Sequence, residues 1–169
     1  MFDLINGVPV HPLVVHAVVV LLPVTILGAL LMVFKPEWRL RYGHLVAAAG
    51  VLAIIFMPIA TSSGEALEER VGRPGEHAEM GDQLIWFSLP LVLLVVAMWW
   101  LERRKAAGKP AIGPSVLPTV LSVLVVIASL AAGFQVYRVG DSGAKAAWSE
   151  RVASSTGGSG ASDGDSDGN

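Results

Sequence analysis

Four histidines are the side chains of this sequence best suited to hold a metal or a haem, because the chain has no Cys. Without thiols it has no disulfide, no thiolate metal site and no iron–sulfur cluster. The histidines are His11, His16, His44 and His77. Neutral imidazole ligates zinc, copper, nickel and iron, haem iron included. On one helix, His11 and His16 are about 140° apart around the axis. A chelating pair wants a spacing of four instead. His11 also precedes Pro12, and the residue before a proline is pushed out of the helical region. The expectation is that His11 bends away from the axis while His16 points into a bundle. A site would then join the start of the first helix to His77, with Glu65, Glu68, Glu76 or Glu79 alongside. The competing reading gives each imidazole a carbonyl to bond, or a place among lipid headgroups, and no ligand.

The elements that must position these side chains are set by where the charges fall. The composition is 53% hydrophobic and 15% charged, with a mean hydropathy of +0.61, whereas a water-soluble domain carries about 25% charge. Segments 4–34, 42–64, 83–101 and 110–137 contain no Asp, Glu, Lys or Arg. Each is long enough for one membrane-crossing helix of about 20 residues. The spans predicted are 12–34, 43–63, 82–101 and 115–137, in a four-span domain over 8–138. The fold class is all-α, an integral membrane four-helix bundle. Strands do not fit, because the runs do not alternate and open sheet edges cannot sit in lipid. Pro12 suits a first helical turn. Pro23, Pro58, Pro90 and Pro118 fall inside the spans and predict kinks.

The connections give the orientation. Segments 35–41 and 102–109 together carry seven Lys and Arg against two acids, whereas 65–82 has two cations against six acids. Positive loops stay in the cytoplasm, so both termini are expected outside the plasma membrane, N-out and C-out. Trp38, Tyr42, Trp99 and Trp100 mark the inner boundary, and Trp86, Tyr137 and Trp148 the outer one. His11, His16 and His77 then share the outer side, and His44 stands alone on the inner side. The start lacks a cationic n-region and the first Lys or Arg is Lys35, so the first span is expected to stay in the mature protein. Residues 139–169, rich in Gly, Ser and Asp towards the end, read as an extracytoplasmic, largely disordered tail.

Depth limits a haem. If straight helices start at one plane, His16 and His77 differ in height by about 15 Å, and His11 and His77 by about 7.5 Å. A bis-histidine haem therefore needs staggered helices or a bent start. A two-haem stack is disfavoured, since His44 has no companion. The acidic stretch Glu65–Asp82 reads first as a solvated segment, with Glu69 and Arg73 spaced for an i,i+4 pair. Lipid is as apolar as Leu, so small residues must hold the helices together. Two stripes offer them: Gly43, Ala47, Gly50, Ile54, Met57, Thr61 and Gly64 in span 2, and Ser115, Thr119, Ser122, Val126, Ser129 and Gly133 in span 4.

Several function classes drop out. A net charge of −2 and a pI near 6.0 give no basic face for nucleic acid. No Gly-x-Ser-x-Gly, no phosphate loop and no carboxylate pair within a span is present, so no catalytic residue is assigned. The partners expected are the lipid bilayer and either subunits of a membrane complex or further copies of the chain.

At His11-Pro12-Leu13-Val14-Val15-His16, leading into the first span, the chain resembles a bacterial membrane family known as domain of unknown function 2231. The resemblance covers about residues 8–138. It implies four helices, a His-Pro-x-x-x-His start to span 1 and a further His ahead of span 3, which His77 matches. Many relatives have an aromatic residue and Pro where this chain has Ala17-Val18-Val19-Val20, so packing below His16 is expected to differ. The family has no established activity. Some relatives are joined to electron-transfer domains, which implies a redox setting by association alone. The leading expectation is haem b or a transition metal bound by His11, His16 and His77 in a membrane redox context. The alternative is a non-catalytic accessory or scaffold subunit, and a third reading is an ion-conducting oligomer.

Overall fold

Within hydrocarbon a backbone must satisfy its own hydrogen bonds, and a continuous apolar run does so as a helix. A computed structural model describes the backbone of residues 4–5, 8–71 and 76–157, and the side chains of 11–65, 77–145 and 148. It contains four such helices: α1 (Val10–Phe34), α2 (Glu37–Val71), α3 (Glu76–Ala106) and α4 (Leu117–Gly157). All four contain a stretch long and apolar enough to cross a membrane, with mean hydropathy between 2.2 and 2.8. Ahead of them, β1 (Leu4–Ile5) and β2 (Val8–Pro9) pair antiparallel, with Leu4 opposite Pro9. This small hairpin was not foreseen from the sequence.

Several boundaries differ from those expected. Helix α1 includes His11 and Pro12 in its first turn. Pro12 is tolerated there because an N–H missing from a first turn removes no helical bond, and His11 is helical despite the steric bias against it. Helix α4 starts at Leu117, so Pro118 lies in a first turn and is no interior kink, unlike Pro23, Pro58 and Pro90, which lie within helices. Helix α4 also continues to Gly157, through much of the segment expected to be disordered. Residues 158–169 lie outside the described residues. Residues 144–148, Ala-Lys-Ala-Ala-Trp, are fair to good helix formers, and a helix already nucleated in the membrane extends at low cost.

Helix α1 packs on α2, α2 on α3, α3 on α4 and α4 back on α1, while α1 and α3 face each other across the diagonal. Leu22, Met32, Leu91, Val95 and Val125 are fully buried between them. Within the apolar core close approach depends on Gly28, Gly43 and Gly50. A Cβ on Gly28 would lie 2.6 Å from Val46, one on Gly43 2.7 Å from Trp99, and one on Gly50 2.9 Å from Val92 and 3.0 Å from Thr25. The expected stripe of α2 is therefore its packing seam: Gly43, Ala47, Gly50 and Met57 are buried, and Ile54, Thr61 and Gly64 half-buried. The stripe of α4 is only partly right. Its buried face is Leu121, Val125, Ser129, Ala132 and Gln135, whereas Ser115 and Thr119 are exposed. Ser115 precedes the helix, and Leu121 and Val125 fill space that smaller side chains would leave without dispersion contacts. Outward faces such as Val20 and Leu27 on α1, Leu93 on α3 and Ile127 and Leu130 on α4 are exposed, as lipid contact requires.

Polar ties between helices sit near the bundle's ends. The buried hydroxyls of Thr25 and Ser88 bond within their own helices, to Leu21 and Leu84 carbonyls at 2.8 Å, and so hold no helix pair together. At one end Arg39 Nε donates to the Met32 carbonyl at 2.8 Å, and Nη2 to Ser122 Oγ at 3.2 Å. One guanidinium thus caps the orphan carbonyls of α1 and ties α2 to α4. At this end Lys35, Arg41, Arg103 and Arg104 stand over the rings of Trp38, Tyr42, Trp99 and Trp100 at 5.1–5.6 Å, a set of cation–π pairs.

Candidate functional site: the histidine end of the bundle

His11 and His77 are each the second residue of an odd-numbered helix, α1 and α3, so the fold carries them to the same end. Both rings turn onto the helix that follows. His11 Nδ1 lies 2.8 Å from the Ala60 carbonyl of α2, with Ser63 Oγ at 3.4 Å. His77 Nδ1 lies 3.1 Å from Ser142 Oγ of α4. Beneath each ring is a glycine. A Cβ on Gly64 would come within 3.0 Å of the His11 ring, and one on Gly143 within 2.9 Å of the His77 ring.

The acceptors fix the protons. A carbonyl only accepts, so His11 donates from Nδ1. Ser142 spends its hydroxyl hydrogen on the Val139 carbonyl at 3.0 Å, so His77 donates from Nδ1 as well. Each neutral ring then carries its lone pair on Nε2, the atom furthest from the glycine among the three nearest ring atoms. An Nδ1–H held by an oxygen acceptor, with Nε2 left as a base, is the usual arrangement of a metal-ligating histidine.

His16 does not join this pair. It is exposed and its Nδ1 returns to the Pro12 carbonyl of its own helix. The expectation that it points into the bundle is corrected, for a reason contained in the helical pitch. With His11 directed at α2, a residue five positions on is turned away by about 140°. His11 in turn does not bend off the axis, because it lies in the helix and its ring is held against α2. His44 is exposed near the other end. Among the described residues no group of three or more His, Asp or Glu side chains surrounds a common point. Glu65 and Glu79 are exposed, while the side chains of Glu68, Glu69 and Glu76, and residue Arg73, lie outside the described residues.

Surrounding this end, the even helices overrun the odd ones. Helix α2 continues past Gly64 to Val71, and α4 past Gly143 to Gly157, rises of about 10 Å and 21 Å. Below the histidines, the fully buried Gln135 of α4 donates from Nε2 to the Met80 carbonyl of α3 at 2.9 Å. The partners missed in the sequence are Ser63-Gly64 and Ser142-Gly143. Their signal was a Ser-Gly dipeptide repeated at the same end of spans 2 and 4, one per histidine.

These features define a multi-pass membrane protein, a four-helix bundle with two first-turn imidazoles docked at one end. A family described as predicted membrane protein (DUF2231) matches residues 7–156, and the chain belongs to it. No curated protein and no solved structure matches.

Proposed function

We propose that the chain is a plasma-membrane protein, with both termini outside, that binds haem b or a transition metal through Nε2 of His11 and His77. One observation carries this reading: Nδ1 of each ring is held against an oxygen of the next helix, the Ala60 carbonyl or Ser142 Oγ, which in the neutral ring directs the lone pair to Nε2. The pre-set ring orientation lowers the cost of ligation. Both ligands belong to first turns, of α1 and α3, so both stand at the same end of the bundle. His16, expected as a third ligand, stays outside the pair in this reading. The orientation rests on the excess of Lys and Arg over residues 35–41 and 102–109, at the α1–α2 and α3–α4 end of the bundle. Purification in mild detergent, with an absorption spectrum and elemental analysis, tests the function. A Soret band or one metal per chain, lost in His11→Ala/His77→Ala, supports it. Apoprotein after growth with ample haem and metal contradicts it.

A second reading is an accessory or scaffold subunit. It is favoured by the way the two rings fill the space over Gly64 and Gly143, which makes them pins between helices. Under that reading His11→Phe and His77→Phe keep the fold and any function in cells, whereas ligation demands the imidazole.

A further inference from the structure

At the end of the bundle opposite the histidines a recess of about 240 Å³ opens between α2, α3 and the α3–α4 connection. Its making is local. Helix α3 ends on a basic turn, Arg103, Arg104 and Lys105. Gly108 adopts φ +67, the left-handed conformation that closes a helix, and the Lys109 N–H returns to the Arg104 carbonyl at 3.1 Å. That turn brings Lys109 back beside Arg104. Arg39, held by its bonds to Met32 and Ser122, supplies the facing wall.

Four cations, Arg39, Arg104, Lys105 and Lys109, therefore line the recess against the single acid Glu102, which Lys105 approaches at 3.6 Å. Arg104 Nε is buried with no hydrogen-bond partner among the described residues. Arg104 also stands over the Trp100 ring, but four like charges facing one acid still repel, and an unpaired buried donor is costly. An anion relieves both. The remaining wall is aliphatic, with Ile112 and Leu117, and it leads onto the outward face of α4, where Val120 is exposed, as is Val116 just ahead of the helix. Trp99 and Trp100 next to it mark the level where headgroups lie.

We propose that this recess binds the phosphodiester headgroup of an anionic phospholipid, with the acyl chains lying on the outward face of α4. The size fits a headgroup and is too small for a whole lipid. A free phosphate would use the cations and leave the aliphatic wall unused. Basic pockets between transmembrane helices at the headgroup level are suited to such lipids. The site is independent of the histidine end and of which leaflet it faces.

The test uses the full chain in detergent micelles, with lipid retention read by native mass spectrometry and protection read by thermal melting. The probes are palmitoyl-oleoyl-phosphatidylglycerol, the matching phosphatidylcholine and inorganic phosphate. Phosphatidylglycerol should bind at least about tenfold more tightly than phosphatidylcholine, and each cation removed should weaken it about fivefold. Arg104→Gln/Lys109→Gln should lose this preference, while Arg103→Gln, which stacks on Trp99 outside the recess, should keep it. Lys109→Gln alone, in an exposed connection, reads the fivefold loss without disturbing the helices. Equal binding of the two lipids, an equal loss in Arg103→Gln, no loss in Lys109→Gln, or displacement of phosphatidylglycerol by millimolar inorganic phosphate would each overturn the proposal.

Discussion

The His77 ring occupies the space that a side chain on Gly143 would need, its Cε1 2.9 Å and Nδ1 3.2 Å from the position of a Cβ there. His11 stands over Gly64 in the same way, at 3.0 Å and 3.1 Å. Two odd helices are thus clipped to the even helices that follow them by an imidazole lying on bare backbone, with Ser63 or Ser142 next in sequence to that glycine. The relation repeats between the two helical hairpins.

That clip can be broken from the glycine side. Gly143→Val and Gly64→Val should force the ring out and lose its hydrogen bond, destabilising the bundle by about 1–2 kcal/mol in detergent melts. Gly143→Ala should melt close to wild type, because alanine's helix preference over glycine is worth up to about 1 kcal/mol and offsets the displaced ring. Histidine-selective acylation followed by mass spectrometry should nonetheless find His77 more reactive in it. A valine variant with wild-type melting and wild-type His77 reactivity would refute the contact.

Glycines inside the bundle should divide by what surrounds them. Gly50→Leu drives a side chain into Val92 and Thr25 and should abolish the folded monomer in detergent, since overpacking at a backbone contact costs about 1–3 kcal/mol or more. Gly140→Ala, where a Cβ meets nothing within 4 Å, should raise stability by up to about 1 kcal/mol. Size-exclusion chromatography and melting curves separate the two outcomes.

Much of this fold was legible because the membrane reduces structure to a few rules. Uncharged runs had to be helices, and glycine and alanine at Gly43, Ala47 and Gly50 had to face a neighbour. The ends were harder to read. Helix α4 runs on to Gly157 through residues whose propensity is middling, where apolar length carries no information. The histidines show a second limit. Their depth could be counted along the chain, but the side of the helix that finds a partner depends on which neighbour offers bare backbone. Gly64 and Gly143 lie 53 and 66 positions away from their rings, too far for spacing to reveal. His16 was misplaced for the same reason, since fixing His11 against α2 decides where His16 must face.

Arg39 should prove hard to replace. Arg39→Ala removes two charge-assisted bonds, to Met32 and Ser122, and should cost about 1.5–3 kcal/mol. Arg39→Lys should recover little of it, because one ammonium cannot span a carbonyl on α1 and a hydroxyl on α4 with the geometry of a planar guanidinium. Melting temperatures of the two variants in the same detergent check this. A lysine variant as stable as wild type would show that charge alone suffices.

Orientation is open to a direct measurement, since the chain has no native cysteine. Ala144→Cys and Ala107→Cys both replace exposed alanines at opposite ends of the bundle. In intact cells a membrane-impermeant maleimide should label position 144 and spare position 107 until the membrane is opened. Labelling in the reverse order would place the histidines on the cytoplasmic face.

The protonation of the two imidazoles tests the ligand reading most closely. In lipid bilayers, the ¹⁵N spectrum of histidine-labelled protein, assigned with single His→Gln variants, distinguishes a protonated ring nitrogen from a bare one. In their neutral form His11 and His77 should both show protonated Nδ1 and bare Nε2, with the Nε2 signals moving when haem or metal is added. Protonated Nε2 on both rings, unmoved by either addition, would contradict the account.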